Sequence, residues 1–216
     1  MKKFAPLLIA LLLTACQNIA SVSATSNDST HASAEKVAAA MAGLKNGGYV
    51  VVMRHGATDP NDADTDPYHL EQCGNQRLLT DRGRLAASGI GKQLHRAGMQ
   101  VDGQVITSRY CRAIETGEYL GFGPVKSTDD ISESGMAFSP NESLRRDVAL
   151  QKLVATIPAV GKDMIIVTHK PNIQAALKVY DPAEGEILIY REAKLIWRIT
   201  PRDFSNYDDI RKSSAL

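Results

Sequence analysis

Residues 50–58 read VVVMRHGAT, four apolar residues followed by an arginine, a histidine and a glycine. A short continuous apolar run that ends in polar residues and glycine is typical of a strand buried on both faces of a sheet. Packing alone does not explain Arg54 and His55 at its end, because large polar side chains are rarely buried without partners. The stretch therefore predicts a buried strand whose carboxyl end presents functional side chains.

The rest of the chain alternates between short apolar runs and amphipathic segments. In its first part, the pattern predicts a short helix within 35–48 that the paired glycines stop, a strand over 49–53, a helix over 79–99 capped by Thr80 and a strand over 104–108. It then predicts a helix over 109–120, a polar loop over 124–141, a helix over 142–157, a strand over 163–169 and a closing hairpin over 186–191 and 194–200. Buried strands separated by helices predict an α/β fold. We expect a three-layer α/β/α sandwich with a mostly parallel central sheet.

The amino terminus, MKKFAPLLIALLLTAC, has the layout of an export signal, with two lysines, an apolar segment and small residues before a cysteine. The apolar segment is shorter than the roughly 20 residues that a transmembrane helix needs. Leu13-Thr14-Ala15-Cys16 resembles the bacterial lipoprotein cleavage box, in which the cysteine is lipidated. We expect a signal peptide over 1–15, a lipidated flexible tether over 16–33 and one folded domain over 34–216. An ordinary secretory signal with an incidental Cys16 is the alternative.

This amino terminus implies a location on the periplasmic face of a bacterial membrane, with the outer membrane favoured. Removal of residues 1–15 takes away two lysines, which leaves 23 basic and 24 acidic residues. That balance does not favour a polyanionic partner such as nucleic acid.

The remaining cysteines, Cys73 and Cys111, would lie in a compartment that permits disulfides. They form either a disulfide or two buried free thiols.

Three of the predicted strands end in cationic or nucleophilic side chains. Arg54 and His55 follow the first strand, Arg109 and Arg112 follow the second, and His169 follows the third. Right-handed crossovers bring the carboxyl ends of parallel strands to one edge of a sheet, where ligands bind. Few acidic residues accompany these cations in the sequence. The group predicts a pocket for a small dianion, and phosphate is favoured because the planar fork of arginine matches its oxygens.

A histidine in such a pocket can react with phosphate as well as bind it. Neutral imidazole, with an ordinary pKa of about 6.5, is a nucleophile near neutral pH. A second histidine can stabilise charge on the transferring oxygens. Arginines supply the charge neutralisation that Mg²⁺ supplies in nucleotide kinases, so we expect no metal and no other cofactor. A zinc site on both histidines is disfavoured because the arginines repel a cation.

Four motifs resemble those of the histidine phosphatase superfamily, whose fold is like that of phosphoglycerate mutase. They are RHG at 54–56, LTxxG at 79–83, SxxxRAxxT at 108–116 and VTH at 167–169. The resemblance covers residues 49 to about 200. It implies that His55 is the nucleophile that becomes phosphohistidine. It also implies that Arg54, Arg112 and His169 complete the phosphate pocket.

The resemblance extends to the lining of the site. Thr58 and Asn61 fall on the superfamily's RHGxTxxN pattern, and with Ser108 and Arg109 they are the candidate substrate-binding residues. Arg109 stands where the superfamily usually has proline, and a solvated surface charge is its other interpretation. NDADTD at 61–66 lacks the glycine and glutamate that a calcium loop requires, and it is interpreted as a polar loop beside the pocket.

The resemblance leaves the general acid open. Glu133, in Ile131-Ser132-Glu133, lies where many members have an L-x-E sequence, and Glu142 is the alternative. Some small members have no obvious acid. Ala57 replaces a glutamate of many cofactor-dependent mutases, which favours hydrolysis over phosphoryl return.

The sequence therefore predicts a metal-independent phosphatase that acts on phosphomonoesters or phosphohistidine. Its substrate would be a small phosphorylated molecule or a phosphoprotein. The alternatives are a phosphomutase of the same fold and a non-catalytic lipoprotein that binds phosphate or a phosphosugar.

Overall fold

The computed structural model describes residues 33–66, 68–133 and 139–213. The expected signal peptide over 1–15 and the expected lipidation site Cys16 lie outside the described residues. Within the described ranges, no helix combines the length and the apolar character needed to cross a bilayer.

A six-stranded sheet forms the centre of the domain. Its strands are β1 (Val50–Arg54), β2 (Val105–Ser108), β3 (Val125–Thr128), β4 (Met164–Thr168), β5 (Ile187–Arg191) and β6 (Lys194–Ile199). Their spatial order is β3-β2-β4-β1-β5-β6. Strands β1 to β4 run parallel, and β5 is antiparallel to both β1 and β6. The prediction of a mostly parallel sheet is confirmed, and the carboxyl ends of β1, β2 and β4 meet at one edge.

Helices cover both faces of this sheet. They are α1 (33–44), α2 (Asp81–Arg96), α3 (Cys111–Leu120), α4 (Pro140–Val154), α5 (Lys170–Leu177) and α6 (Pro201–Ser213). One hydrophobic cluster joins the sheet to α1, α2, α3 and α6, and a second joins it to α4 and α5. The predicted three-layer α/β/α sandwich is therefore confirmed.

The continuous apolar character of β1 follows from its place in the middle layer. Val51 and Met53 belong to the cluster on one face of the sheet, and Val50 and Val52 belong to the cluster on the other. All four are buried. Burial of a side chain of this size contributes roughly 1.5–3 kcal/mol to the stability of the fold. Because alternate residues of the strand point to opposite faces, β1 stabilises the packing of both helix layers on the sheet.

The prediction of a polar loop over 124–141 is wrong. The segment contains strand β3 and a 3-10 turn over Asp129–Ile131, and α4 already begins at Pro140. Among the described residues, strand β3 has one neighbouring strand, and its residues are half-buried or exposed. Its sequence VKST therefore has a single apolar residue and gives little signal of a buried strand. Helix α6 was also not predicted, because its sequence is mostly polar and Phe204 is the buried residue that joins it to the core.

Two predicted helix boundaries have clear local causes. Thr80 caps α2 and accepts a hydrogen bond from the backbone N–H of Gly83 at 3.1 Å, as predicted. Helix α1 ends shortly before the paired glycines Gly47 and Gly48, which have φ of 71° and 90°. Glycine is favoured at these positions because L side chains rarely adopt positive φ.

Two glycines on α2 differ in the space around them, and they give a matched test of helix packing. A Cβ on Gly91 would lie 2.2 Å from the carbonyl oxygen of Leu120, whereas a Cβ on Gly89 would meet nothing within 4 Å. We expect Gly91→Ala to lower the free energy of unfolding by roughly 1–3 kcal/mol because α2 and α3 must separate. We expect Gly89→Ala to raise it by up to about 1 kcal/mol through helix propensity. Urea denaturation followed by circular dichroism measures both, and equal effects would contradict this packing.

Candidate active site

The backbone of His55 is held from three sides at the end of β1. Its N–H donates to the carbonyl oxygen of Thr168 at 3.0 Å, and its carbonyl oxygen accepts from the N–H of Gly185 at 2.9 Å. The next residue, Gly56, donates its N–H to Oγ1 of Thr116 on α3 at 2.9 Å. His55 is 2% exposed. The side chain is therefore placed by β4, by the segment before β5 and by α3 together.

The amino terminus of α2 packs directly on the chain that follows His55. The N–H of Thr80 donates to the carbonyl oxygen of Ala57 at 2.9 Å. A Cβ on Gly83 would lie 2.3 Å from that same oxygen. The glycine of the LTxxG motif is thus required by this close approach.

The His55 ring has a defined tautomer. Its Nδ1 lies 2.9 Å from the carbonyl oxygen of Gly56, which can only accept, so Nδ1 carries the proton and donates it. Burial, and after it the charge of Arg112, holds the pKa of His55 well below its ordinary value. The ring is therefore neutral near pH 7, with a lone pair on Nε2.

His169 lies beside His55, with the two ring centroids 5.2 Å apart. Its Nε2 is 2.7 Å from Oγ of Ser108, and that hydroxyl oxygen accepts from the N–H of Tyr110 at 3.2 Å. The hydroxyl proton of Ser108 can therefore go to Nε2, which leaves the ring proton on Nδ1. This Nδ1 is buried and has no hydrogen-bond partner in the described part of the chain. Burial, followed by Arg112, lowers the pKa of His169 as well.

Arg112 carries the deepest charge at this edge, with a side chain that is 0% exposed. Its Nη1 donates to Oδ1 of Asp64 at 2.8 Å, and its Nη2 donates to Oε2 of Glu133 at 2.6 Å. The guanidinium carbon lies 4.3 Å from the ring centroid of Tyr110, which is a cation–π distance. Two carboxylates and an aromatic face thus stabilise this buried cation.

Arg54 and Thr58 meet at a third carboxylate. Arg54 donates from Nη2 to Oε1 of Glu184 at 3.2 Å and from Nη1 to the carbonyl oxygen of Pro182 at 2.9 Å. The hydroxyl of Thr58 donates to the same Oε1 at 2.7 Å. Glu184 therefore joins Arg54 to Thr58, which places Thr58 beside Arg54.

The expectation that few acidic residues accompany the cations is wrong. Asp64, Glu133 and Glu184 all bind arginines of the site. Asp64 lies 48 residues before Arg112, and Glu184 lies 130 residues after Arg54, so no local pattern could link them. Asp64 belongs to the 61–66 segment that was interpreted as a polar loop beside the pocket.

Arg77 is a further residue that sequence reasoning missed. The backbone N–H of Arg77 donates to Oδ1 of Asp64 at 3.0 Å. The positive charge of its guanidinium group contributes to the low pKa of both His55 and His169. Arg77 lies two residues before the LTxxG motif, but a single arginine in a loop carries no distinctive signal. With Arg54 and Arg112 it brings three guanidinium groups to this edge of the sheet.

Each of these three arginines keeps one buried donor. The Nε atoms of Arg54, Arg77 and Arg112 are buried and make no hydrogen bond within the residues that the structure describes. Buried donors of this kind normally have partners. Together with Nδ1 of His169 they form a set of donors suited to an anion with several oxygens.

Glu133 and Glu142, the two candidate acids, have different surroundings. Besides binding Arg112, Glu133 has Oε2 3.7 Å from Nδ1 of His169. Glu142 instead binds Arg145 and Arg146, and hydrogen bonds from these two arginines hold the pKa of Glu142 at about 2. A carboxyl group with so low a pKa has already lost its proton near neutral pH, so it is a poor proton donor there. The geometry favours Glu133.

Two other candidates lie apart from the histidines. The side chain of Arg109 is 41% exposed and pairs with Asp129 at 3.2 Å, which agrees with the interpretation as a solvated charge. Asn61 is also exposed, and within the described ranges it hydrogen-bonds Asp59 alone. Ser108, by contrast, contacts His169 directly. The same ranges contain no group of three or more His, Cys, Asp or Glu side chains arranged to hold a metal ion.

A disulfide joins Cys73 to Cys111, whose Cα atoms are 5.7 Å apart. Cys111 is the first residue of α3 and directly precedes Arg112. Gln76 reinforces the link, because its Oε1 accepts from the N–H of Cys111 at 2.8 Å and its Nε2 donates to the carbonyl oxygen of Leu70 at 2.9 Å. The loop that carries Asp64 is thus fixed to the helix that carries its ion-pair partner.

Comparison with known proteins agrees with this geometry. Residues 50–146 match the model of the histidine phosphatase superfamily, branch 1. No curated protein sequence matches the chain significantly.

Several solved structures share the fold. The protein histidine phosphatase SixA, complexed with tungstate, is 18% identical, with a TM-score of 0.50 over 71% of this chain and 97% of that one. An open reading frame product of Mycobacterium tuberculosis is 17% identical, with a TM-score of 0.52 over 71% and 98%. A mycobacterial glucosyl-3-phosphoglycerate phosphatase is 17% identical, with a TM-score of 0.51 over 71% and 99%. At these identities the likeness shows the fold.

Proposed function

We propose that the chain belongs to the histidine phosphatase superfamily and is a metal-independent phosphatase; the match of residues 50–146 and the shared fold support this. It hydrolyses phosphomonoesters or phosphohistidine through a phosphohistidine intermediate on His55. The hydrogen bond from Nδ1 of His55 to the carbonyl oxygen of Gly56 carries this proposal. It leaves the lone pair of Nε2 available beside buried arginine donors, which is the arrangement that a nucleophile for phosphate needs.

Substrate binding begins with the phosphate dianion at Arg54 and Arg112. The buried Nε donors of both arginines have no protein partner in the described residues, and the phosphate oxygens accept from them. The dianion also displaces Glu133 from Arg112. In the proposed scheme the displaced Glu133 carboxyl group carries the proton that the leaving oxygen receives.

The first chemical step forms a bond between Nε2 of His55 and phosphorus and breaks the bond from phosphorus to the leaving oxygen. Glu133 gives its proton to that oxygen. The imidazole ring keeps its proton on Nδ1, and the carbonyl oxygen of Gly56 stabilises the positive charge that develops there. Arg54, Arg112 and His169 stabilise the charge on the transferring phosphoryl oxygens.

The second step returns the enzyme to its starting state. Water attacks the phosphorus atom and gives a proton to the Glu133 carboxylate, and the bond from phosphorus to Nε2 breaks. Phosphate leaves, and His55 is neutral again. The arginines supply the charge neutralisation in both steps, so the scheme contains no metal ion.

A covalent intermediate separates the proposed phosphatase from a phosphate-binding protein. We expect rapid quenching with ³²P-labelled substrate, in alkaline detergent because phosphohistidine is labile to acid, to capture labelled protein from the wild type. Label should be absent from His55→Ala, which lacks the nucleophile. Release of inorganic phosphate distinguishes a phosphatase from a mutase, which would return label to the substrate. A wild-type protein that neither gains label nor hydrolyses any phosphomonoester would contradict the proposal.

The identity of the acid can be tested with two matched variants. We expect Glu133→Gln to slow hydrolysis of an alkyl phosphate about 10²–10⁴-fold, because the alkoxide leaving group needs a proton. Hydrolysis of para-nitrophenyl phosphate should fall much less, because nitrophenolate leaves without one. Glu142→Gln, which alters the carboxylate bound by Arg145 and Arg146, is the control and should change neither rate strongly. Equal losses on both substrates in Glu133→Gln would rule out this role.

We also propose that the protein is exported and anchored through a lipidated Cys16, with residues 16–33 as the tether. The export layout of residues 1–15 and the cleavage-box sequence before Cys16 support this. The phosphatase would then act on phosphorylated molecules or proteins outside the cytoplasm.

Lipidation predicts a clear result in cells. In a bacterial host we expect the wild type to incorporate labelled palmitate and to sediment with membranes. Cys16→Ser should lose both properties, because the thiol that receives the lipid is gone. Equal labelling of the two proteins would contradict the anchor, and an unlabelled wild type would identify an ordinary secretory signal.

A further inference from the structure

A groove of about 810 Å³ lies between strand β3 and helix α4, outside the catalytic residues. Ile106, Lys126 and Thr128 of the sheet form its floor. Leu144 and Val148 on α4 lie along its wall. The groove is therefore an apolar channel that runs beside the outermost strand of the sheet.

Both the wall and the floor of this groove face solvent. Leu144 is 62% exposed and Val148 is 37% exposed, which is high for large aliphatic side chains one helical turn apart. Strand β3 pairs with β2 and, among the described residues, has no strand on its other side. Open sheet edges tend to pair with other chains, and exposed apolar grooves tend to bind them.

The charged residues of the groove are mostly cationic. Lys126 on β3 and Lys152 on α4 make no ion pair within the described ranges. The groove's third cation, Arg145, is already neutralised by Asp130 and Glu142. A lysine on an edge strand discourages that strand from pairing with other chains at random. Leu144 and Val148 beside it are apolar and do not discourage such contacts. The surface therefore favours an occupant with apolar and acidic side chains.

The groove is continuous with the edge of the sheet that carries the catalytic residues. Thr128, at its upper end, is paired in register with Ser108 on the neighbouring strand. The Ser108 hydroxyl lies 2.7 Å from Nε2 of His169. From Thr128 the chain passes through a single 3-10 turn to Glu133, which binds Arg112. A polypeptide lying along β3 would therefore run toward the catalytic edge.

We propose that this groove binds an extended segment of a phosphoprotein substrate, which adds as a strand beside β3. Main-chain hydrogen bonds to the open edge supply affinity. Apolar side chains of the segment pack on Leu144 and Val148, and its acidic side chains face Lys126 and Lys152. The inference rests on the proposed phosphatase activity and specifies its substrate as a polypeptide.

The test uses three aryl phosphates as substrates. One is para-nitrophenyl phosphate, and another is a short peptide in which phosphotyrosine is flanked by alternating valine and glutamate. The third is a twin peptide that has lysine in place of glutamate. The variants are Val148→Asp, the double charge reversal Lys126→Glu with Lys152→Glu, and Val160→Asp as a matched control at a fully exposed valine outside the groove.

We expect Val148→Asp to lower kcat/KM for the acidic peptide about tenfold and to leave para-nitrophenyl phosphate hydrolysis unchanged, because it introduces a charge among apolar contacts. The charge-reversed protein should prefer the lysine peptide. Val160→Asp should behave like the wild type on all substrates.

The other outcomes overturn the inference in separate ways. Groove variants that leave the preference between peptides unchanged, or a wild type that cleaves only the small substrate, would exclude polypeptide docking here. A wild-type dimer that Val148→Asp converts to a monomer in analytical ultracentrifugation would assign the groove to a second copy. A wild type that cleaves none of the three substrates would instead refute the phosphatase activity.

Discussion

The burial of Arg112 is the constraint around which the site is built. A guanidinium group with no solvent contact costs several kcal/mol unless charged and hydrogen-bonding groups surround it. Asp64, Glu133 and the ring of Tyr110 provide those partners. Asp64 comes from an irregular loop, and the Cys73–Cys111 disulfide fixes that loop next to the arginine. Much of the structure outside the sheet can therefore be understood as support for one buried positive charge.

The same charge determines the state of the histidines. Arg112 adds to the effect of burial in lowering the pKa of His55 and His169, so both rings are neutral. Neutral His55 keeps a lone pair for attack, and the carbonyl oxygen of Gly56 selects the nitrogen that carries it. Arg112 thus lowers the pKa of the histidine that the proposed scheme uses as its nucleophile, and in the same scheme it binds the phosphate. In the proposed scheme, its bond to Glu133 also couples phosphate binding to the release of the carboxyl group that acts as the acid.

The sequence predicted the centre of this arrangement because the relevant signals are local. The apolar run of β1 reports burial on both faces, and the arginine and histidine at its end stand out against it. The same contrast marks Ser108 at the end of β2 and His169 directly after β4. Strand β3 and helix α6 were missed because an edge strand and a mostly polar helix bury too little apolar surface to leave a pattern.

By itself the sequence determined the layered α/β fold and the meeting of three strand ends that carry Arg54, His55 and His169, because these depend on hydrophobic periodicity and on the geometry of parallel strands. Only the tertiary structure decided which carboxylates bind the arginines, which of Glu133 and Glu142 faces the site and that Cys73 meets Cys111. Those pairings join residues far apart in the chain. Their formation depends on how loops pack over the sheet edge, and no local pattern of residue types encodes that packing.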